Sequence, residues 1–182
     1  MLKRILTIAA VAAGGAVIAK QIKQKLERGN TSSVTEWIEV AVPVSTAYNQ
    51  WTQFEEFPQF MDNVQEVRQL DDSHLLWRAD VGGRSEEWEA EITEQVPDMR
   101  IAWRSITGAQ NAGVVTFHHI SDSTTRITLQ LDYQPQGVLE TVGDLFGAMR
   151  LQAQGNLKNF KQFIEGRARE TGEWRGTIVQ QH

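Results

Sequence analysis

Five glutamates crowd one stretch of this chain: Glu86, Glu87, Glu89, Glu91 and Glu94. Neighbouring carboxylates are the raw material of general acid–base chemistry, provided one is held in a cleft with a shifted pKa. The spacing here gives no such constraint. Glu87, Glu89 and Glu91 alternate with Trp88, Ala90 and Ile92, which sets the acids on the wet face of a strand. His118 and His119 are adjacent on a predicted strand and so point to opposite faces, which prevents them from chelating one metal together. One of them can reach an interior, and Tyr133 can offer a hydroxyl there. Arg78, Arg104 and Arg126 read as outer-face charges in cross-strand pairs rather than anion ligands. No Gly-rich phosphate loop, HExxH run or serine with a placed His/Asp pair is present. The absence of cysteine excludes thiolate nucleophiles, disulfides and Cys-ligated metals. The sequence therefore assigns no catalytic residues, no metal site and no cofactor.

A second set has the chemistry of a hydrophobic pocket: Trp51, Phe54, Phe57, Phe60, Met61, Trp77, Trp88, Trp103, Phe117, Tyr133, Phe146 and Met149. Ligand sites are mostly apolar with few polar groups. Residue by residue, an ordinary core explains the same types. Phe57, Phe60 and Met61 sit on a short stretch broken by Pro58 and are candidates for a gate.

The elements that position these residues follow from periodicity. Ile38, Val40 and Val42 alternate with Trp37, Glu39 and Ala41, a half-buried strand running from about Val34 and ended by Pro43. A short helix follows, with Ser45 as its expected N-cap and Tyr48, Trp51 and Thr52 at helical spacing. Six strands are predicted at about 64–70, 74–81, 84–95, 99–106, 112–120 and 124–133, separated by turn signals such as Asp71-Asp72, Gly82-Gly83 and Pro97-Asp98. Their alternation asks for one dry face and one wet face, as in an antiparallel meander. Val138, Val142, Leu145, Phe146, Met149, Ala153, Leu157, Phe160 and Ile164 recur in steps of three or four, so residues 138–165 form a long amphipathic helix that covers the dry face. Gly143, Gly147 and Gly155 weaken that helix or permit a close approach to it.

Charge divides the chain. Residues 1–30 carry Lys3, Arg4, Lys20, Lys23, Lys25 and Arg28 against Glu27. The net charge of the whole chain is -5, so the remainder is strongly acidic, which argues against nucleic acid as a partner. Ile5 to Ala19 is an uncharged run bracketed by these cations. As a helix it spans about 22 Å, short of the roughly 30 Å hydrocarbon core unless lysines snorkel and the bilayer thins. A short membrane anchor, a cleaved signal peptide and an interfacial helix all fit. Association with membrane lipids through residues 1–26 is the expectation, since a basic flank suits anionic lipid. The cations after the run favour a cytoplasm-facing domain, while Lys3 and Arg4 pull the other way. The organisation expected is an anchor or signal-like helix at 1–26, a linker at 27–33, a folded domain at 34–165 and a polar tail at 166–182.

Strand, short helices, six strands and one long helix is an α+β order that resembles the helix-grip fold of START, Bet v 1-like and polyketide cyclase/dehydrase proteins (the SRPBCC superfamily). Local sequence carries the resemblance further. Trp51-Thr-Gln-Phe54-Glu-Glu-Phe57-Pro58-Gln-Phe60-Met61 is similar to the segment after the first helix of the bacterial cyclase/dehydrase group. Trp88-Glu-Ala-Glu-Ile92, Pro97-Asp98, Ile101-Ala-Trp103-Arg104, Gly113-Val-Val-Thr-Phe117 and Thr125-Arg126-Ile-Thr-Leu129 are similar to its strands. The resemblance, which extends to coenzyme Q-binding START-type proteins, covers about residues 34–165. It implies a curved antiparallel sheet around the last helix, and a cavity for an apolar or aromatic small molecule. Two functions follow as expectations. One is non-enzymatic binding or transport of a lipid, quinone or aromatic compound beside a membrane. The other is cyclase or dehydratase action on an aromatic or polyketide-like substrate.

Overall fold

A computed structural model of the chain describes residues 32–81, 83–108, 110–133 and 142–179, and for Ser32, Tyr133 and residues 142–145 only the backbone. The apolar run at 5–19 and the start of the expected long helix, at 138–141, lie outside the described residues. Residues from Ser32 onward form a compact unit of their own.

The elements are β1 (Ser32–Val40), α1 (Val44–Trp51), a 3-10 helix (Phe54–Gln59), β2 (Val64–Gln69), β3 (His74–Val81), β4 (Arg84–Val96), β5 (Arg100–Ser105), β6 (Asn111–Ser121), β7 (Thr124–Tyr133), α2 (Val142–Arg167) and β8 (Ile178–Val179). Seven strands make one antiparallel sheet in the order β1-β7-β6-β5-β4-β3-β2, with β8 added to β4. β2 to β7 are consecutive hairpins, so each turn signal read in the sequence becomes a sheet neighbour. β1 closes the order by pairing with β7, Ser32 opposite Tyr133 and Val40 opposite Thr125. This is the expected helix-grip architecture: the sheet curves around α2, and α1 with the 3-10 helix plugs one end.

Pro43, not Ser45, occupies the N-cap of α1. Its ring holds φ at -56°, and its carbonyl accepts the Ala47 N–H at 3.0 Å, so the helix starts one residue before a serine could cap it. The 3-10 helix puts Phe54 and Phe57, three residues apart, on one buried side. On α2, Ala153, Leu157, Phe160 and Ile164 are buried in steps of three or four. That face is clamped to β1 at two points. The Glu36 carboxylate accepts Arg150 Nε at 2.6 Å and Gln154 Nε2 at 3.0 Å, and the hydrogen bond from Arg150 leads in holding its pKa below the ordinary value. Two turns on, Lys161 Nζ donates to the Glu39 carbonyl at 2.8 Å and Glu165 accepts the Ala41 N–H at 2.7 Å. A Cβ at Gly147 or Gly155 would meet nothing within 4 Å, so close approach does not explain either glycine.

The C-terminal segment reads as a polar tail in the sequence, but it is docked. β8 pairs with Glu94 and Gln95 at the end of β4 that outruns β3, covering a bare sheet edge. Ahead of it, Thr171, Trp174 and Arg175 lie across α1. The Thr171 N–H donates to Gln50 Oε1 at 3.0 Å, the Trp174 N–H to Thr52 Oγ1 at 3.1 Å, and Arg175 Nη1 to Asn49 Oδ1 at 2.7 Å. Arg175 also grips Asp98, whose φ of 62° marks the β4–β5 turn. This cover explains how Asn49 and Gln50, on a helix only eight residues long, and Thr52 at its C-cap are buried.

Two outcomes follow. Arg175→Ala leaves Asn49 Oδ1 without its donor, and urea unfolding will show a loss of about 1–3 kcal/mol. Gly155→Ala, with free space for the methyl group inside a helix, will raise stability by about 1 kcal/mol in the same assay.

Candidate functional site

Between the concave face of the sheet and the N-terminal half of α2 lies a half-open cavity of about 300 Å³. Three groups of elements build its wall. The α1 and 3-10 segment contributes Trp51, Phe54, Phe57 and Met61. The strands contribute Trp77 from β3, Trp88 from β4 and Trp103 from β5, while α2 contributes Met149. These eight were singled out in the sequence, and the fold brings them together. Trp77 and Trp88 are register partners, and their rings stack at 5.9 Å with 7° between planes. Phe57 meets Trp77 edge-on at 5.6 Å.

Four other candidates fall elsewhere. Phe60 turns away from the cavity onto α2, with its ring 5.1 Å from Phe160 and 5.3 Å from Phe163. Phe117 packs under Tyr48 and Trp51 at 5.6 and 6.1 Å. Both are core residues. Phe146 is 37% exposed and is not on the wall. Tyr133 closes β7, and its side chain lies outside the described atoms. The expected gate is equally solid: Phe57, Phe60 and Met61 are all buried, so this element is a packed end wall.

The wall also holds residues that sequence reasoning missed. Leu75, Ile92, Ile101, Leu129 and Leu131 follow the strand alternation and were legible from it. Asn63, Asp80, Asn111, Asp132, Gln152 and Asn156 had no such signal. Asp80 is exposed and accepts the Gly83 N–H at 2.8 Å; Asp132 accepts Gln130 Nε2 at 3.3 Å. On the wall residues Asn63 and Trp77, the buried Oδ1 and Nε1 atoms have no hydrogen-bond partner among the described residues.

The histidines and arginines singled out in the sequence lie outside the cavity. His118 and His119 are both exposed, toward the end of β6, so neither reaches the interior. The expected outer-face ion pairs form, each between strand neighbours: Arg78 with Glu66 at 3.0 Å, Arg104 with Glu91 at 3.0 Å and Arg126 with Glu39 at 2.7 Å. Of the described wall residues, the titratable ones are Asp80 and Asp132. Among the described residues no group of three His, Cys, Asp or Glu side chains is placed to hold a metal. Such a wall can enclose and orient an apolar molecule.

Residues 40–161, from the end of β1 through most of α2, match the profile of the polyketide cyclase/dehydrase and lipid transport family. The chain belongs to that family. An uncharacterised 17.2 kDa protein of Streptomyces lincolnensis is 52% identical over 149 residues, which are 81% of this chain and 99% of the relative. Among solved structures, the aromatase/cyclase Zhui of Streptomyces sp. R1128 superposes with a TM-score of 0.68 at 15% identity, covering 80% of this chain and 100% of that one. A START superfamily protein of Mycobacterium smegmatis gives 0.60 at 17% identity, covering 75% and 96%. At these identities the likeness shows the fold, the helix-grip fold of the START/Bet v 1-like superfamily. It does not carry chemistry.

Trp51 both lines that cavity and fixes it, through edge-on or tilted contacts with four other rings. Trp51→Ala will cost about 3–5 kcal/mol in thermal or denaturant unfolding, and Trp51→Phe clearly less.

Proposed function

We propose that this chain binds a hydrophobic small molecule, a lipid, quinone or aromatic compound, in the cavity between its sheet and α2, without catalysing its conversion. The observation that carries this reading is the wall itself: about 300 Å³ lined chiefly by four tryptophans, two phenylalanines and other apolar side chains. That volume stands at the lower end of small-molecule pockets. It suits a ring system or one stretch of chain, with the remainder of a longer molecule projecting from the mouth. A cyclase would need acid–base groups at the reacting atoms. The histidines expected to supply them are exposed on the far part of β6, which favours binding over turnover.

We further propose that residues 1–26 hold the domain at a membrane, with the domain on the cytoplasmic side. Support comes from the basic residues that flank the apolar run on both sides. Among the described residues no helix is long and apolar enough to cross a membrane.

Native mass spectrometry of residues 32–182 prepared without detergent, followed by organic extraction, tests the binding reading. A stoichiometric apolar molecule will accompany the protein. An empty protein that also takes up no hydrophobic probe would overturn the reading.

A further inference from the structure

Trp103 differs from the other rings on the wall in what lies behind it. Its register partner across β5 and β6 is Gly113, whose backbone is buried. A Cβ built on Gly113 would overlap Cζ2 of the Trp103 ring and stand 2.7 Å from Cη2. The six-membered edge of the indole therefore rests on the peptide backbone of β6, in the space a side chain would occupy. Glycine inside a strand usually weakens it, and here the missing side chain is replaced by a neighbour's ring. The same indole lines the cavity. Because one edge of the ring occupies the place of a side chain at 113, a side chain there must displace it, and the cavity is the open space beside it.

We infer that the Gly113–Trp103 pair sets the largest ligand this cavity admits. The inference rests on the binding reading above and adds its size rule. Gly113 is a positioning residue, because it acts only through Trp103, and Trp103 is the surface the ligand meets. Any side chain at 113 lifts the indole into a space of about 300 Å³ and lowers the size limit. A smaller side chain at 103 raises the limit. The two effects are coupled, because the two nearest atoms to the added methyl group belong to the ring. The methyl group also stands 2.9 Å from the Gln130 carbonyl oxygen on the adjacent strand β7, a backbone contact that the combined variant retains.

The experiment measures binding of naphthalene, phenanthrene and pyrene, a graded series of flat apolar probes, by probe fluorescence with the full-length chain. Three variants are compared with the parent: Gly113→Ala, Trp103→Leu, and the two combined. Gly113→Ala will weaken the largest probe that the parent binds by about tenfold or more, and naphthalene by less than about threefold. Trp103→Leu will shift the preference toward pyrene. The combined variant will bind that largest probe at least about tenfold more tightly than Gly113→Ala alone, a coupling expected only of residues in contact. Thermal unfolding of each variant separates a smaller cavity from a damaged fold. Equal weakening of all three probes by Gly113→Ala, or no recovery in the combined variant, would overturn the size rule while leaving the binding reading intact. A parent chain that binds none of the three would overturn the binding reading, and the size rule with it.

Discussion

The edge-on contact between Trp51 and Phe160, with ring centres 4.8 Å apart, joins parts of the chain that are far apart in sequence. Trp51 ends α1 and Phe160 lies in the buried stripe of α2. The same indole also meets Phe57 and Phe60 from the 3-10 segment and Phe117 from the sheet. Helix, plug and sheet thus converge on one side chain, and its remaining surface faces the cavity. A curved sheet with a helix across its mouth would otherwise collapse until the apolar faces met. The aromatic stack at this end props the two layers apart, and the space left toward the start of α2 is the cavity. Close packing at one end and open volume at the other are two results of one arrangement.

Most of the architecture was legible because the sheet is built from local hairpins. Asp71-Asp72, Gly82-Gly83 and Pro97-Asp98 are strong turn chemistry, and two-residue alternation then fixes which side of each strand is dry. Trp77, Trp88 and Trp103 were accordingly recognisable as inward-facing. What alternation cannot tell is whether an inward side chain meets another side chain or a ligand. Phe60 and Phe117 have the same pattern as Phe57 and Trp88, yet they are buried against Phe160, Phe163, Tyr48 and Trp51. That distinction depends on where α2 crosses the sheet, which is a tertiary fact. His119 shows the other limit, since it shares the face of Val115 and Phe117 and is nevertheless exposed.

The least legible part is polar. Nothing in a segment containing Glu170, Thr171, Glu173 and Arg175 suggests a partner for a helix. The clue was available from the other side: α1 and its C-cap carry Asn49, Gln50 and Thr52 among Ala47, Tyr48 and Trp51, too many amides and hydroxyls for an ordinary buried helix. Buried polar groups must be matched, and the tail matches them one by one. Because Tyr48 is buried in the same layer, its hydroxyl accepts Gln95 Nε2 at 3.2 Å and burial pushes its pKa up. This layer specifies how α1 sits, and α1 carries Trp51.

Of the six tryptophans in the chain, Trp51, Trp77, Trp88 and Trp103 border the cavity, while Trp37 and Trp174 lie away from it. Indole emission responds to the polarity of its surroundings and to nearby acceptors of excitation energy. Any molecule that displaces water from this space changes the environment of four of the six chromophores at once. The stacked Trp77 and Trp88 rings are close enough to share excitation between them. The protein therefore contains its own optical gauge of occupancy, needing no label, in the same side chains that form the wall.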